Sequence, residues 1–464
     1  MDLKRAVKQN REFVALLGLF TALQLVLLLK IWRKPLIWDT AIYLAMGKYL
    51  FTGGKIGLWE VFRPPLLPAV AGTFWKLGMP PVGFTRLLAV MFSVTGAAGI
   101  YYMVRDIYTE RQALLTLALL LSTGLYFWHS NMLLTGLPAS ILVFTSLYFV
   151  EKERYLLGGF FGGIAFLLRF PSAMVGPAAV IYIAYRYRHE IKLLVKNAML
   201  YTVAFFATAA PYLYAMKHFY GSYLQPFISG VMVPASTADS YMAGIYYVFH
   251  VIKSNPLMVF FPLGIYLALK PRERGRYVFL SGLVLFYGFF TVFPHKEPRF
   301  ALLFLPLLAL FGARGLERVM EEFDSRYGFR GYDTLTVVLA AAAIVMTGAF
   351  GGAWTQKSVN TDAVQYYRAH SNVTGVVAAN DASIMAYGDI KYFALPPATL
   401  EGSFERAKTR VDYFSINSCA WYCTPSIENC EQKIERVENT LESNYTNVFE
   451  HNGSYCNYDI YRNR

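Results

Sequence analysis

Asp39 sits in the stretch WDTAIY, a few residues past an apolar run of about twenty residues, and a carboxylate there needs a chemical reason. Tyr43, one helical turn on, shares its face. Glu60 and Arg63 then lead into RPPLLP. His129 and Asn131 follow one apolar run, Arg169 ends another, and PHKEPRF places His295, Lys296, Glu297 and Arg299 between two more. A charge in hydrocarbon costs at least about 2.5 kcal/mol even on insertion scales, so such residues face a polar cavity or one another. A single carboxylate with several cations suits a leaving group that gains negative charge as a bond breaks. A polyprenyl phosphate is such a group. Arg or Lys would hold it through charge-assisted hydrogen bonds, and Asp39 would take the proton of an attacking hydroxyl. Arg63, Arg169, His295, Lys296, Glu297, Arg299 and Tyr43 are the donor-side candidates. His129, Asn131 and Glu60 are the acceptor-side candidates.

Plainer roles compete at each position. Asp39 could cap a helix. Arg63, Lys296 and Arg299 could extend toward headgroups, and Pro64-Pro65 could only shape a turn. His129 could be a satisfied interfacial side chain. What favours chemistry is that these residues all interrupt or end apolar stretches.

Other reaction classes lose support. No D-x-D motif is present to bind a metal-held diphosphate, and no GxGxxG fingerprint, GxxxxGK[ST] loop or HExxH pair appears. The expectation is therefore a site without metal or cofactor.

The elements that must position these groups are membrane helices. Hydrophobic residues make up 56% of the 464 and charged ones only 16%, where a soluble domain carries about a quarter charged. Apolar runs near 14–31, 83–104, 112–128, 135–150, 155–169, 172–186, 197–216, 255–269, 277–293, 300–313 and 334–353 predict about eleven spans. The first run is too long, and too poorly followed by a small-residue cleavage site, for a removed signal peptide. Lys and Arg gather in MDLKRAVKQNR, at Arg105, Arg111, Lys152 and Arg154, in RYRHEIKLLVK and KPRERGR, and at Arg314, Arg318, Arg326 and Arg330. The alternate short loops hold only Arg169, Lys217, Lys253, Lys296 and Arg299. That asymmetry predicts a cytoplasmic N-terminus and an external C-terminus. The +13 charge is explained by this topology and by anionic lipid, with no nucleic acid required.

Two segments break the pattern. The first external loop, about 33–82, is too apolar for a free loop. DTAIYLAMGKYLFTGG and PPLLPAVAGTFWKLG read as two interfacial helices within the 1–354 membrane domain. Residues 355–464 form a polar, external α/β domain. VTGVVAAN, VDYFSIN and YTNVFEHN read as strands, and DAVQYYRAH and IENCEQKIERVENTLE as helices. Cys419, Cys423, Cys430 and Cys456 all fall there and predict two disulfides of open connectivity, with a zinc site as the weaker reading. Sequons at Asn372, Asn444 and Asn452 fit an external face.

In their order along the chain these motifs resemble those of the GT-C superfamily, integral-membrane glycosyltransferases that use polyprenyl-phosphate sugars. WDTAIYLAMGKYLFTGG followed by RPPLLP resembles the first external loop of the protein O-mannosyltransferase and aminoarabinose transferase branch. Arg86 in GFTRLLAVMFS and Arg169 in GIAFLLRFPSA match basic positions of that family. PHKEPRFALLFLPLLAL is similar to the HKE-x-RF motif of mannosyltransferases that build GPI anchors and lipid-linked oligosaccharides. The resemblance implies that Asp39 is the catalytic base and that His295, Lys296, Glu297 and Arg299 organise the donor phosphate. Two departures stand out: Gly136 lies where many relatives carry an Asp after the third span, and Thr40 follows Asp39 where the protein mannosyltransferases carry a second acid.

The expectation is a mainly α, polytopic GT-C membrane protein in the cell membrane, with a small external α/β domain. Its activity would be inverting transfer of one sugar, mannose being a candidate, from a polyprenyl or dolichyl phosphate to an external glycan, lipid or protein. One carboxylate supports a single displacement, hence inversion. A lipid-linked-sugar flippase or transporter is the alternative, though the chain lacks the matching halves such proteins show. An oligosaccharyltransferase is disfavoured because no WWD-like motif is present.

Overall fold

Within the described residues, which exclude 351–353, every predicted apolar run falls on a helix, although not every run is a single helix. The computed structural model describes residues 11–32, 38–236, 245–270, 277–293, 295–327, 332–350, 376–381, 384–385, 388–421, 423, 427–452 and 457–462. The chain opens with α1 (Arg11–Ile31), α2 (Trp38–Thr52), α3 (Leu66–Lys76), α4 (Pro81–Ile107), α5 (Glu110–Ser122), α6 (Gly124–His129), α7 (Gly136–Glu151) and α8 (Tyr155–Leu168). It continues with α9 (Val175–Arg186), α10 (Ile191–Tyr220), α11 (Gln225–Ser236), α12 (Ile245–Ser254), α13 (Phe261–Ala268), α14 (Tyr277–Val292), α15 (Leu305–Tyr327) and α16 (Tyr332–Phe350).

Among the described residues, Arg11–Ile31, Pro81–Ile107, Ile191–Tyr220 and Pro298–Arg326 are long and apolar enough to cross a bilayer alone. The other predicted spans are shorter or broken. The 112–128 run divides at Thr123, whose backbone is extended, into α5 and α6. The runs at 172–186, 255–269 and 300–313 each open with a 3-10 turn containing proline, because a proline ring supplies no N–H and suits the first turn of a helix. The chain is an integral membrane protein. Consistent with lipid contact, α10 leaves Met199, Val203 and Phe206 exposed.

By backbone contacts the chain forms two compact units, Met1–Lys30 with Phe62–Pro65 and Arg86–Gly352, and Ile31–Val61 with Leu66–Thr85 and Ala353–Arg464. In the first, α8 packs against α7 and α10. The GGFFGG sequence of α8 makes the second contact close: a Cβ at Gly159 would overlap the Tyr201 carbonyl oxygen on α10, and small residues are what let membrane helices approach this far. Helix α13 packs on α15, and α5 on α15 and α16.

The second unit departs from the composition boundary, because the first-loop helices group with the C-terminal domain rather than with the bundle. Helices α2 and α3 cross at Gly47 and Gly72, where a Cβ on Gly47 would lie 2.5 Å from the Pro68 carbonyl oxygen. Gly53 and Gly54, at φ +61 and +84, end α2 as the Gly pair predicts. The C-terminal sheet contains β1 (Val376–Ala379), β2 (Lys391–Ala394), β3 (Tyr413–Asn417), β4 (Thr446–Asn452) and β5 (Asn457–Arg462), in the order β2-β1-β3-β5-β4. Strand β1 is parallel to β2 and β3, and β5 is antiparallel to β3 and β4. Helices α17 (Leu400–Lys408) and α18 (Cys430–Asn444) contribute Phe404, Val437 and Leu441 to a core with Phe414, Ile416 and Tyr461. Cys423 pairs with Cys430, and Cys419 is also disulfide-bonded. Cys456, Asn372, most of KPRERGR and the predicted helix DAVQYYRAH lie outside the described residues. Asn444 is exposed at the end of α18.

Candidate active site

In the bundle unit, residues 295–297 lie between α14 and a 3-10 segment, Pro298–Phe304, that leads into α15. Glu297 is the centre of their contacts. Its Oε1 accepts from His295 Nε2 at 2.7 Å and from Arg299 Nη2 at 2.9 Å. Burial alone would raise the Glu297 carboxyl, but the His295 hydrogen bond and the Arg299 guanidinium outweigh it and hold it at about 2. The carboxylate is therefore ionised at neutral pH and fixes the facing edges of His295 and Arg299.

Arg169 reaches the same turn from α8. Its backbone is extended, which ends the helix one residue before the Phe170–Met174 turn. Its Nη1 lies 3.2 Å from the Thr135 hydroxyl, and its guanidinium lies 5.1 Å from the Phe300 ring centroid. His129, at the end of α6, feels the charges of Arg299, Glu297 and Arg169, and its Nδ1–H donates to the Leu125 carbonyl oxygen at 2.7 Å. Three segments far apart in sequence thus gather two guanidiniums, two imidazoles and one carboxylate. Phe166, three residues before Arg169 on α8, joins Tyr201 and Phe205 of α10 and Phe227 of α11 in lining an apolar groove of about 690 Å³.

Two predicted residues take other roles. Lys296 donates to the carbonyl oxygens of Phe290 (2.7 Å), Thr291 (2.7 Å) and Phe293 (2.5 Å), which uses all three of its protons to cap the C-terminus of α14. No donor is left for a phosphate, so Lys296 shapes the turn instead. Asn131 is buried, and its amide donates to Gln24 of α1, whose own Nε2 donates to the Phe127 carbonyl at 3.0 Å. It is a contact inside the bundle and not a surface offered to an acceptor. Arg63, in the same unit, is partly exposed with its guanidinium 5.5 Å from the Phe62 ring.

Asp39, Tyr43 and Glu60 belong to the other unit. Helix α2 starts at Trp38, so Asp39 lies inside its first turn, partly exposed, with Tyr43 buried one turn on. Glu60 is partly exposed, and its charge acts on the buried Tyr392 of β2. Sequence reasoning missed Thr135, which binds Arg169, and Tyr247, which lies 6.0 Å from Lys296 Nζ. Neither carries a pattern that separates it from other residues of an apolar helix edge. Gly136, in the position where many relatives carry an Asp, would place a Cβ 3.9 Å from the Arg299 carbonyl oxygen. Among the described residues no three His, Cys, Asp or Glu side chains cluster as metal ligands do.

Comparison with known proteins places the architecture. Among curated proteins none matches in sequence. A family model described as dolichyl-phosphate-mannose-protein mannosyltransferase matches residues 62–214. The crystal structure of ArnT from Cupriavidus metallidurans bound to undecaprenyl phosphate superposes with a TM-score of 0.69 at 14% identity, covering 97% of this chain and 98% of that one. The chain has the fold of the GT-C glycosyltransferases. The apo oligosaccharyltransferase of Archaeoglobus fulgidus is similar to this chain with a TM-score of 0.59 at 11% identity, over 87% of this chain and 69% of the other. Agreement along nearly the whole ArnT chain means that the GT-C architecture here includes the C-terminal sheet as well as the helices.

Proposed function

We propose that this chain is an inverting glycosyltransferase that moves one sugar from a polyprenyl or dolichyl phosphate to an external hydroxyl. The observation that carries it is the convergence of Arg169 and Arg299 on one turn, with a single carboxylate between cations, while the helix that ends at Arg169 also lines an apolar groove. The excess positive charge suits a phosphate, and the aromatic-walled groove suits an isoprenoid tail. The ArnT structure holds undecaprenyl phosphate, a ligand of this class. The mannosyltransferase family model makes mannose the first sugar to test.

In the reaction, Asp39 accepts the proton of the acceptor hydroxyl as its oxygen attacks the anomeric carbon. The bond from that carbon to the phosphate oxygen breaks, and its electron pair goes to the phosphate. Arg169, Arg299 and Arg63 stabilise the charge that develops there, with His295 and Glu297 orienting Arg299. Lys296 holds the turn. His129 and Glu60 are assigned to the acceptor side. One displacement on one face inverts the anomeric carbon. The reading includes a metal-independent reaction, a cytoplasmic N-terminus and an external C-terminal domain.

The test is release of free polyprenyl phosphate by purified protein in lipid, supplied with a panel of polyprenyl-phosphate sugars and a membrane extract as acceptor source, with and without EDTA. Release by wild type, insensitive to EDTA and lowered at least about 1,000-fold in Asp39→Asn, is expected for loss of a general base. Undiminished release by Asp39→Asn removes the base assignment. Movement of intact donor across vesicles without cleavage would replace the transferase with a transporter.

A further inference from the structure

Lys48 lies on α2, the helix that carries Asp39, and is only 2% exposed. A buried ammonium is costly unless each of its three donors is met. Here Nζ donates to the carbonyl oxygens of Met385 at 3.0 Å and Gly388 at 2.9 Å, and pairs with Asp389 Oδ1 at 3.0 Å. It also lies 5.9 Å from the ring centroid of Trp75 on α3. Met385, Gly388 and Asp389 precede β2 of the C-terminal sheet, and all of these residues belong to one compact unit.

The rest of α2 carries little information about its own rotation. Thr40 through Lys48 are buried without a break, and Ala41, Ile42, Leu44, Ala45 and Met46 are apolar. A helix that is apolar all round has no face that selects one rotation. A single buried polar contact can set register where apolar packing is degenerate. The segment after α2 is tied to the same place: Gly57 N–H donates to the Ile390 carbonyl at 2.9 Å, and Gly57 bridges Lys391 in parallel. Gly57 has φ +83, and a Cβ there would overlap the Ala45 carbonyl oxygen, so glycine is required for this approach.

We propose that Lys48 is a positioning residue through which the C-terminal domain sets the rotation of α2 and hence the placement of the Asp39 carboxylate. This rests on Asp39 acting as the base. The two backbone carbonyls are the main grip, since Asp389 is 58% exposed and its pairing is screened by solvent. The C-terminal domain then serves the reaction by holding a helix, whatever it does for the acceptor.

The test uses the full-length protein in lipid, with polyprenyl-phosphate mannose as donor, a membrane extract as acceptor source, and polyprenyl phosphate as binding probe. Lys48→Met is expected to lower kcat about ten- to hundred-fold, since displacements of an ångström cost that much. The donor KM and the Kd for polyprenyl phosphate should stay within about two-fold, the signature of a lost transition-state contribution. Lys48→Arg, which still donates to both carbonyls, should recover most of the loss, and Asp389→Asn should lose no more than about three-fold. A Lys48→Met kcat within two-fold of wild type overturns the proposal, as does parallel loss of polyprenyl phosphate binding. Amide hydrogen exchange over residues 41–52 gives a readout independent of turnover. Faster exchange in Lys48→Met, or in Lys48→Gln should Lys48→Met not fold, supports the grip, and unchanged exchange overturns it. If wild type is inactive with every donor, the transferase reading fails, while the exchange result still decides the grip.

Discussion

The Arg299 guanidinium lies against the Glu297 carboxylate, Nη2 2.9 Å from Oε1, so the only acid of PHKEPRF is already engaged by its neighbour. With the carboxyl held at about 2 against an ordinary 4.5, its contribution to stability is fully present above about 4.5 and is lost as pH falls toward 2. Glu297→Gln should therefore melt below wild type at pH 7, with the gap narrowing on acidification to pH 3. Thermal midpoints at the two pH values check this, and an equal gap at both contradicts it.

Arg169 joins two contacts that a lysine cannot reproduce together, the Thr135 hydrogen bond and the stack on Phe300. Arg169→Lys should raise the donor KM about ten-fold or more, and Thr135→Val less, because the second removes one hydrogen bond and leaves the guanidinium and its stack on Phe300 in place. Initial rates against donor concentration separate the two. A Thr135→Val effect as large as that of Arg169→Lys would show that the stack on Phe300 contributes little.

Lys296 spends its protons on the end of α14. Lys296→Met should cost about 2 kcal/mol of stability, the scale for hydrogen bonds from a charged donor, read as a lower thermal midpoint. The Kd for polyprenyl phosphate in the folded variant should move less than about three-fold, whereas direct phosphate ligands lose more. A large loss of binding without a change in melting would return Lys296 to the phosphate.

Asn131 and Gln24 meet inside the bundle. Asn131→Ala should lower stability by about 1–3 kcal/mol, because it leaves the Gln24 carbonyl buried without its donor. Acceptor KM should stay at the wild-type value, and a selective rise in it would restore Asn131 to the acceptor side.

Helices were legible wherever periodicity or apolar length is a local property. The Gly53-Gly54 stop of α2 follows from positive φ at those two positions, and β1, β3 and β4 follow from short apolar or alternating runs. Strands β2 and β5 were not legible. KYFA is a partly exposed neighbour of β1, and NYDIYR carries polar residues that only pairing with β3 and β4 turns outward. The grouping of α2 and α3 with the C-terminal sheet was equally hidden, since it depends on Lys48 and Gly57 meeting residues more than three hundred positions away.

By itself the sequence determined which residue types were available for chemistry and that the chain would bury itself in a membrane, because charge and hydropathy are properties of single side chains and short windows. Tertiary structure decided which charges act together. Arg169, Glu297 and Arg299 converge only when α8 and the turn after α14 pack side by side, and that same packing turns Lys296 inward to its own helix end and Asn131 toward Gln24. The reason is physical. A buried polar group takes the partners that the packed backbone leaves within hydrogen-bond reach, and sequence spacing does not encode that distance.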